Sequence, residues 1–223
     1  MAGTPNRLIP IKSPALPLAP TDYARQYIDQ VNNISRIFYK QIDNLTNALL
    51  SNTGGRFFGT PYGSFFSTTT QPAVSTTTAY VVGIANTQAN NSISLTTNQL
   101  GTSTNQIYFE FPGIYNVHFS VQLQNTVDTA QDVDIWLRKG DIDISNSNNR
   151  FGLAPRKSVG DPFNMTASAD LIVEMEGRDY LELVWRSSNT GTGIVAYGVS
   201  ASPTRPAIPS VSVTVTFVSA IPA

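Results

Sequence analysis

A strict alternation of apolar and polar residues constrains the fold of this chain more than any other feature. Residues 115–123 place Tyr115, Val117, Phe119, Val121 and Leu123 at one set of alternate positions, with Asn116, His118, Ser120 and Gln122 between them. Residues 211–217 repeat the pattern. Successive side chains of a strand point to opposite faces of a sheet, so this period predicts strands with one buried face. Half-buried strands are typical of antiparallel sheets.

Candidate strands and turn residues alternate from Gly55 to the last residue. The predicted strands cover residues 80–85, 92–96, 106–111, 115–123, 133–139, 171–176, 180–185, 194–199 and 210–218. Since no helix pattern intervenes, residues 55–223 are predicted to form a two-sheet antiparallel sandwich, with a jelly roll as the favoured topology. The predicted fold class is therefore mainly β, preceded by one N-terminal α-helix and an extended Pro-rich arm.

One helix-patterned stretch, residues 21–50, precedes the strands, and we assign residues 21–54 to a helical domain. Apolar residues recur there at alternating spacings of three and four, as on heptad a and d positions. The candidate contact residues of this helix are Tyr27, Val31, Ile34, Phe38, Gln41 and Leu45. Ile28, Ile37, Ile42 and Leu49 widen the stripe, which favours a three-stranded association or packing on another surface. A lone helix has no helical partner in its own chain, so we expect a trimerisation helix; packing against its own β-domain is the alternative.

Residues 1–20 form a proline-rich segment with apolar residues between the prolines. Its apolar residues are Leu8, Ile9, Ile11, Leu16 and Leu18. Proline fixes φ and pushes its predecessor toward extended conformations, so the segment is predicted to be an extended arm. Too many of its residues are apolar for a solvated linker, so we expect it to attach the chain to another protein; a disordered tail is the alternative.

A long loop is predicted between Lys139 and Thr166. Loops of this length without secondary structure are uncommon unless they are functional. The candidate ligand or partner residues within it are Asn146, Asn148, Asn149 and Arg150.

Composition argues against several classes of function. The net charge is −1, only 13% of residues are charged and cysteine is absent, so we expect no nucleic-acid binding and no thiolate chemistry. The single histidine, His118, lies in an outward-facing strand register and is read as a surface residue. The carboxylate pairs are Asp132/Asp134, Asp141/Asp143 and Glu174/Glu176, and we read them as solvent-facing. We therefore expect no enzyme activity, no cofactor and no metal; the lack of an 18-residue apolar run also predicts no membrane-spanning segment.

Three sequence motifs occur in the same order as in a known family. Residues 111–120 (FPGIYNVHFS) resemble the opening of a C1q/TNF-like jelly roll, residues 134–140 (DIWLRKG) its strand and short turn, and residues 177–183 (GRDYLEL) a later strand. Arg178 departs from the family pattern because glycine and aspartate are normally adjacent there. The resemblance covers roughly residues 105–220 and implies a jelly-roll domain.

Residues 27–44 add a second resemblance. Their asparagines, Ile-Ser-Arg-Ile, Phe-Tyr and Gln-Ile-Asp-Asn are similar to the segment that precedes such jelly rolls in tailed-bacteriophage structural proteins. The resemblance implies a homotrimeric virion protein with a jelly-roll head and an N-terminal attachment region. It leaves open whether the chain is a capsid decoration protein or a tail fibre, and a carbohydrate-binding or receptor-binding C1q-like module, directed at a host surface glycan or protein, is the alternative function.

Overall fold

The computed structural model of the chain describes residues 25–50, 59–97 and 104–221. It divides the chain into two compact units, one ending at Gly59 and the other beginning at Thr60. Each unit is described separately below. The predicted arm, residues 1–20, lies outside the described residues.

The described part of the first unit is helix α1, Arg25–Leu50. No glycine or proline interrupts this segment, and its apolar residues keep the spacing of a single helical face. The predicted helix is therefore confirmed over these 26 residues, while residues 21–24 and 51–54 lie outside the described part. Within the single chain, Val31, Ile34 and Phe38 are half-buried, whereas Ile37 is 50% exposed.

The second unit is built from β-strands. Among its described residues the strands are β1 Tyr62–Ser67, β2 Gln71–Pro72, β3 Tyr80–Val81, β4 Asn86–Asn91, β5 Ile93–Thr97, β6 Thr104–Phe109, β7 Gly113–Asn125, β8 Gln131–Lys139, β9 Ile142–Asp143, β10 Asn149–Leu153, β11 Phe163–Met175, β12 Asp179–Ser187, β13 Thr192–Ile194, β14 Ser200–Ala201, β15 Thr204–Arg205 and β16 Val211–Ser219. The pairings between these strands are antiparallel, which confirms a mainly β, antiparallel fold.

The strands form two main sheets that face each other as a sandwich. The first sheet runs β2-β13-β7-β16-β1-β4. Strand β11 pairs with the edge of β7 opposite to the edge that pairs with β16. The second runs β10-β8-β12-β6-β5, with β3 beside β12 and β9 beside β8. Strands β14 and β15 form a separate small hairpin.

Eight of the strands form nested antiparallel pairs. In chain order they are β1, β6, β7, β8, β10, β11, β12 and β16. The first pairs with the eighth, the second with the seventh, the third with the sixth and the fourth with the fifth. Two further pairings, β16 with β7 and β12 with β8, join the nested pairs within each sheet.

The hydrophobic core lies between the two sheets. Along β7, buried and half-buried residues alternate without interruption from Gly113 to Asn125, as the sequence pattern predicts. Tyr115 of the first sheet packs edge-on against Phe109 of the second, with ring centroids 4.7 Å apart. Its hydroxyl donates to the Phe111 carbonyl oxygen at 2.8 Å, and burial raises the pKa of this tyrosine. Trp185 is also buried in this core.

The prediction of a structureless loop between Lys139 and Thr166 is wrong. That segment contains β9, β10 and the beginning of β11. Strand β10 escapes a periodicity search because only Phe151 and Leu153 mark its inner face. Strand β11 begins at Phe163, before the predicted start, because it pairs with β7 from that residue onward. Its inward-facing residues Ala167 and Ala169 are small, and their low hydrophobicity hides the alternation in the sequence.

Other strand boundaries also differ from the pattern. The predicted strand at residues 80–85 pairs only over Tyr80–Val81, and the one at residues 194–199 ends at Ile194. Strand β4 has the sequence NTQANN, which carries no apolar period. Hydrogen bonding to β1 forms this strand, and a tertiary pairing of this kind leaves no local sequence signal.

Candidate ligand-binding site

A cluster of charged and aromatic side chains lies on the outer face of the second sheet. Its residues come from β8, β9, β10 and β12 and from the loop that follows β9. The sheet register brings them together, because Asp134 of β8 lies directly between Arg150 of β10 and Arg186 of β12. Cross-strand neighbours on one face lie within side-chain reach, so an Arg-Asp-Arg row forms across three strands.

Asp134 is the buried centre of this row. Arg150 donates to it through Nε at 2.8 Å and through a terminal nitrogen at 3.3 Å, and Arg186 donates through Nε at 2.8 Å. The carboxylate side chain is only 4% exposed, whereas the Arg150 and Arg186 side chains are 60% and 52% exposed. The hydrogen bond from Arg150, with that from Arg186, holds the pKa of Asp134 below its usual range although burial opposes the shift.

Asp143 organises the neighbouring part of the cluster. Its Oδ1 accepts hydrogen bonds from Trp136 Nε1 and from Arg138 Nε, both at 2.9 Å. These two donors lower the pKa of Asp143, with the Trp136 bond as the larger cause. Because the indole N–H is bonded to a charged oxygen, the orientation of the half-buried Trp136 ring is fixed.

The loop after β9 is fastened to the sheet by Ser147. This buried hydroxyl accepts from the Leu137 backbone N–H at 3.0 Å and donates to the Ile144 carbonyl oxygen at 2.8 Å. Asn146 adopts a left-handed backbone conformation with φ 64°, which asparagine tolerates better than most residues. The loop therefore presents its exposed side chains from a defined position.

A groove of about 330 Å³ opens within this cluster. It is lined by Trp136, Asp143, Ile144, Asn148 and Arg186. The groove combines one aromatic ring, one aliphatic side chain, an amide, a carboxylate and a guanidinium group.

The structure separates the four predicted loop residues into different roles. Asn148 lines the groove, and Arg150 holds Asp134. Asn149 begins β10 and donates to the Ser147 carbonyl oxygen at 3.0 Å, while Asn146 is exposed at the turn. The four residues predicted together therefore make different contacts in the structure.

The sequence does not predict the other residues of the cluster as binding residues: Asp134, Trp136, Arg138, Asp143, Ile144 and Arg186. The prediction that Asp134 faces solvent is wrong, because two arginines cover its carboxylate, whereas Asp132 is exposed as predicted. The alternation along β8 places Asp134 and Trp136 on one face, but only the register with β10 and β12 reveals their partners. The sequence alone does not give this register, so it could not show that Arg150 and Arg186 lie beside Asp134.

The other residues considered for catalysis or metal binding do not lie together in one site. His118 lies on the outer face of the first sheet, as predicted, and its Nδ1 is 3.0 Å from Asp170 Oδ1. Asp141 and Asp143 do not share a strand face, because Asp141 occupies a left-handed turn position before β9. Among residues 25–50, 59–97 and 104–221 no cluster of three or more histidine, aspartate or glutamate side chains is placed to hold a metal ion.

The predicted helix contacts lie on one side of α1. Tyr27, Val31, Ile34, Phe38 and Leu45 are half-buried within the chain, and Gln41 is exposed. The arm residues Leu8, Ile9, Ile11, Leu16 and Leu18 lie outside the described residues.

Comparisons with known proteins add no family assignment. No protein-family model matches the chain, and no curated protein is significantly similar to it in sequence. Of the helical residues that the structure describes, none forms a segment long and apolar enough to cross a membrane.

Proposed function

We propose that this chain is a non-enzymatic, homotrimeric structural protein of a bacteriophage virion. Its N-terminal arm anchors it to the capsid or tail, α1 joins three chains, and the β-unit is a jelly-roll head of the C1q/TNF-like type. The observation that carries the proposal is the nested strand pairing of the β-unit, preceded in the chain by a helix with a wide apolar stripe.

The strand order supports a jelly roll. In this topology a long antiparallel hairpin of eight strands is rolled up, so the first strand pairs with the eighth and the fourth with the fifth. The pairs β1·β16, β6·β12, β7·β11 and β8·β10 follow that order. The motifs of the sequence resemblance fall at strand ends: Gly113 begins β7, and Gly140 follows β8 with φ 52°. At Gly113 a Cβ would lie 2.7 Å from a Phe217 ring carbon, so any larger residue there would force the Phe217 ring to move.

The apolar stripe of α1 supports association of three chains. Ile28 is 38% exposed and Ile37 is 50% exposed within the single chain, and both flank the a/d seam. Apolar residues beside the seam favour more than two strands, because a two-stranded seam covers little beyond a and d. Three linked chains would also anchor three arms at once, which slows dissociation by raising the effective concentration of each arm.

The attachment role is tested by deleting residues 1–20 and measuring incorporation into particles. We expect incorporation to fall strongly, because the arm supplies the docking surface. A matched variant keeps the arm's length and prolines but replaces its five leucines and isoleucines by serine. Its incorporation into particles should fall to the same degree. Undiminished incorporation of the deletion variant would exclude the arm as the anchor.

A second function, recognition of a host surface glycan or protein, is favoured by the groove beside Trp136. An aromatic ring held by a hydrogen bond, with polar groups of both signs around it, is a common arrangement in binding sites. In a virion protein this groove would lie on the displayed head. The two functions are compatible, since a fibre both attaches and recognises.

A further inference from the structure

The groove beside Trp136 has the size and chemistry of a site for one small polar ring. Its volume, about 330 Å³, lies at the lower end of the range for small-molecule sites. We propose that this groove binds one pyranose ring of a neutral saccharide, with the ring stacked on Trp136 and its hydroxyls bonded to Asp143, Asn148 and Arg186.

Trp136 supplies the stacking surface. Its indole N–H donates to Asp143 Oδ1 at 2.9 Å, so the ring is oriented before any ligand arrives. The π face of an aromatic ring carries negative charge density and attracts the C–H face of a sugar ring. A fixed ring also costs little conformational entropy on binding.

The polar residues of the groove offer both acceptors and donors. Among the described residues, Asp143 Oδ2, the terminal nitrogens of Arg186 and the amide of Asn148 have no hydrogen-bond partner. Each sugar hydroxyl donates one hydrogen bond and accepts others. Neighbouring hydroxyls therefore match a carboxylate and a guanidinium group that line one groove.

The charges of the groove favour a neutral ligand over a phosphate or a uronic acid. Arg186 shares the single negative charge of Asp134 with Arg150, and the groove lining itself carries one guanidinium, Arg186, and one carboxylate, Asp143, so it has no excess positive charge for an anion. Asp143 lines the same groove, and its hydrogen bonds to Trp136 and Arg138 keep it ionised at neutral pH. An anionic ligand would meet this carboxylate, whereas a hydroxyl group donates to it.

This inference deepens the recognition function proposed above and depends neither on the trimer nor on the virion. It is tested by applying the full chain to an array of immobilised neutral and anionic oligosaccharides, followed by calorimetric titration of the strongest neutral oligosaccharide. We expect binding to neutral pyranose oligosaccharides, reduced tenfold or more by Trp136→Ala. Absence of binding to all neutral saccharides, or binding to anionic ones alone, would overturn the proposal.

Asn148→Ala provides a variant with little risk to folding, because this side chain is exposed and bonds no described residue. We expect it to weaken binding about fivefold to tenfold, the effect of one lost hydrogen bond. Asn146→Gly is the matched control: it removes an amide from the same loop outside the groove lining and keeps the left-handed backbone, so affinity should not change. If Asn148→Ala and Trp136→Ala both bind the saccharide as tightly as wild type does, the saccharide binds elsewhere and the proposal is contradicted. The trimer would be unaffected by that result, since it is measured separately as a molar mass.

Discussion

Asp134 carries a negative charge on a side chain that is only 4% exposed. Such a carboxylate is stable only when hydrogen bonds and opposite charges replace its lost hydration. Arg150 and Arg186 supply both, and their exposed guanidinium groups remain partly hydrated. At the residue scale, this row therefore ties β10, β8 and β12 together and supports one wall of the groove.

We expect Asp134→Asn to destabilise the β-unit by about 2 kcal/mol, since hydrogen bonds to charged groups are worth roughly 1.5–3 kcal/mol. Denaturant unfolding of the two proteins measures the difference. Asp132→Asn is the matched control: the same change on the same strand face, at an exposed residue, should alter the free energy of unfolding by less than about 0.5 kcal/mol. Equal effects of the two substitutions would contradict the importance assigned to the buried row.

The pH dependence of the same variant gives the sign of this contribution. Because the folded-state pKa of Asp134 is lowered, its stabilisation is fully present above the unfolded pKa of about 3.9 and is lost as pH falls through the folded value. The stability difference between wild type and Asp134→Asn should thus be constant near neutral pH and shrink below about pH 4. A difference that grows on acidification would contradict the ion-pair account.

At the element scale, α1 presents one polar residue, Gln41, on the predicted apolar seam. We expect Gln41→Ile to raise the melting temperature, by on the order of 2–4 °C for each kcal/mol gained, because the seam becomes continuous. Thermal unfolding at several protein concentrations checks this, since an associating helix makes the melting temperature depend on concentration. Gln26→Ile, the same change at an exposed c position, should give no increase. If both variants behave alike, Gln41 does not lie on a seam.

The sequence predicts an element well where its apolar periodicity is strong. It predicts an element poorly where pairing with another strand determines the structure. The helix and the alternation of β7 were readable because each follows from a long local pattern. Strands β4 and β10 were not: the residues of β4 are polar or small, β10 has only two large apolar residues, and pairing with a neighbouring strand makes each of them a strand. The groove was unpredictable for the same reason: Trp136, Asn148 and Arg186 meet only through strand register and a turn fixed by Ser147.

For the molecule as a whole, we propose that three chains associate. Helix α1 supplies a wide apolar stripe, and the nested strand pairing of the β-unit supports the proposed jelly-roll head. These two features lie in separate compact units of the chain. The proposed trimer would join them in one function, because three anchored arms and three displayed heads would need a common junction.

Light scattering coupled to size-exclusion chromatography measures the molar mass and so distinguishes a trimer from a monomer. At micromolar concentration we predict a species of three times the 24.1 kDa chain mass. Gln41→Ile should keep that mass and resist dilution better than wild type. A clean monomer of 24.1 kDa at the same concentration would contradict the proposed trimer.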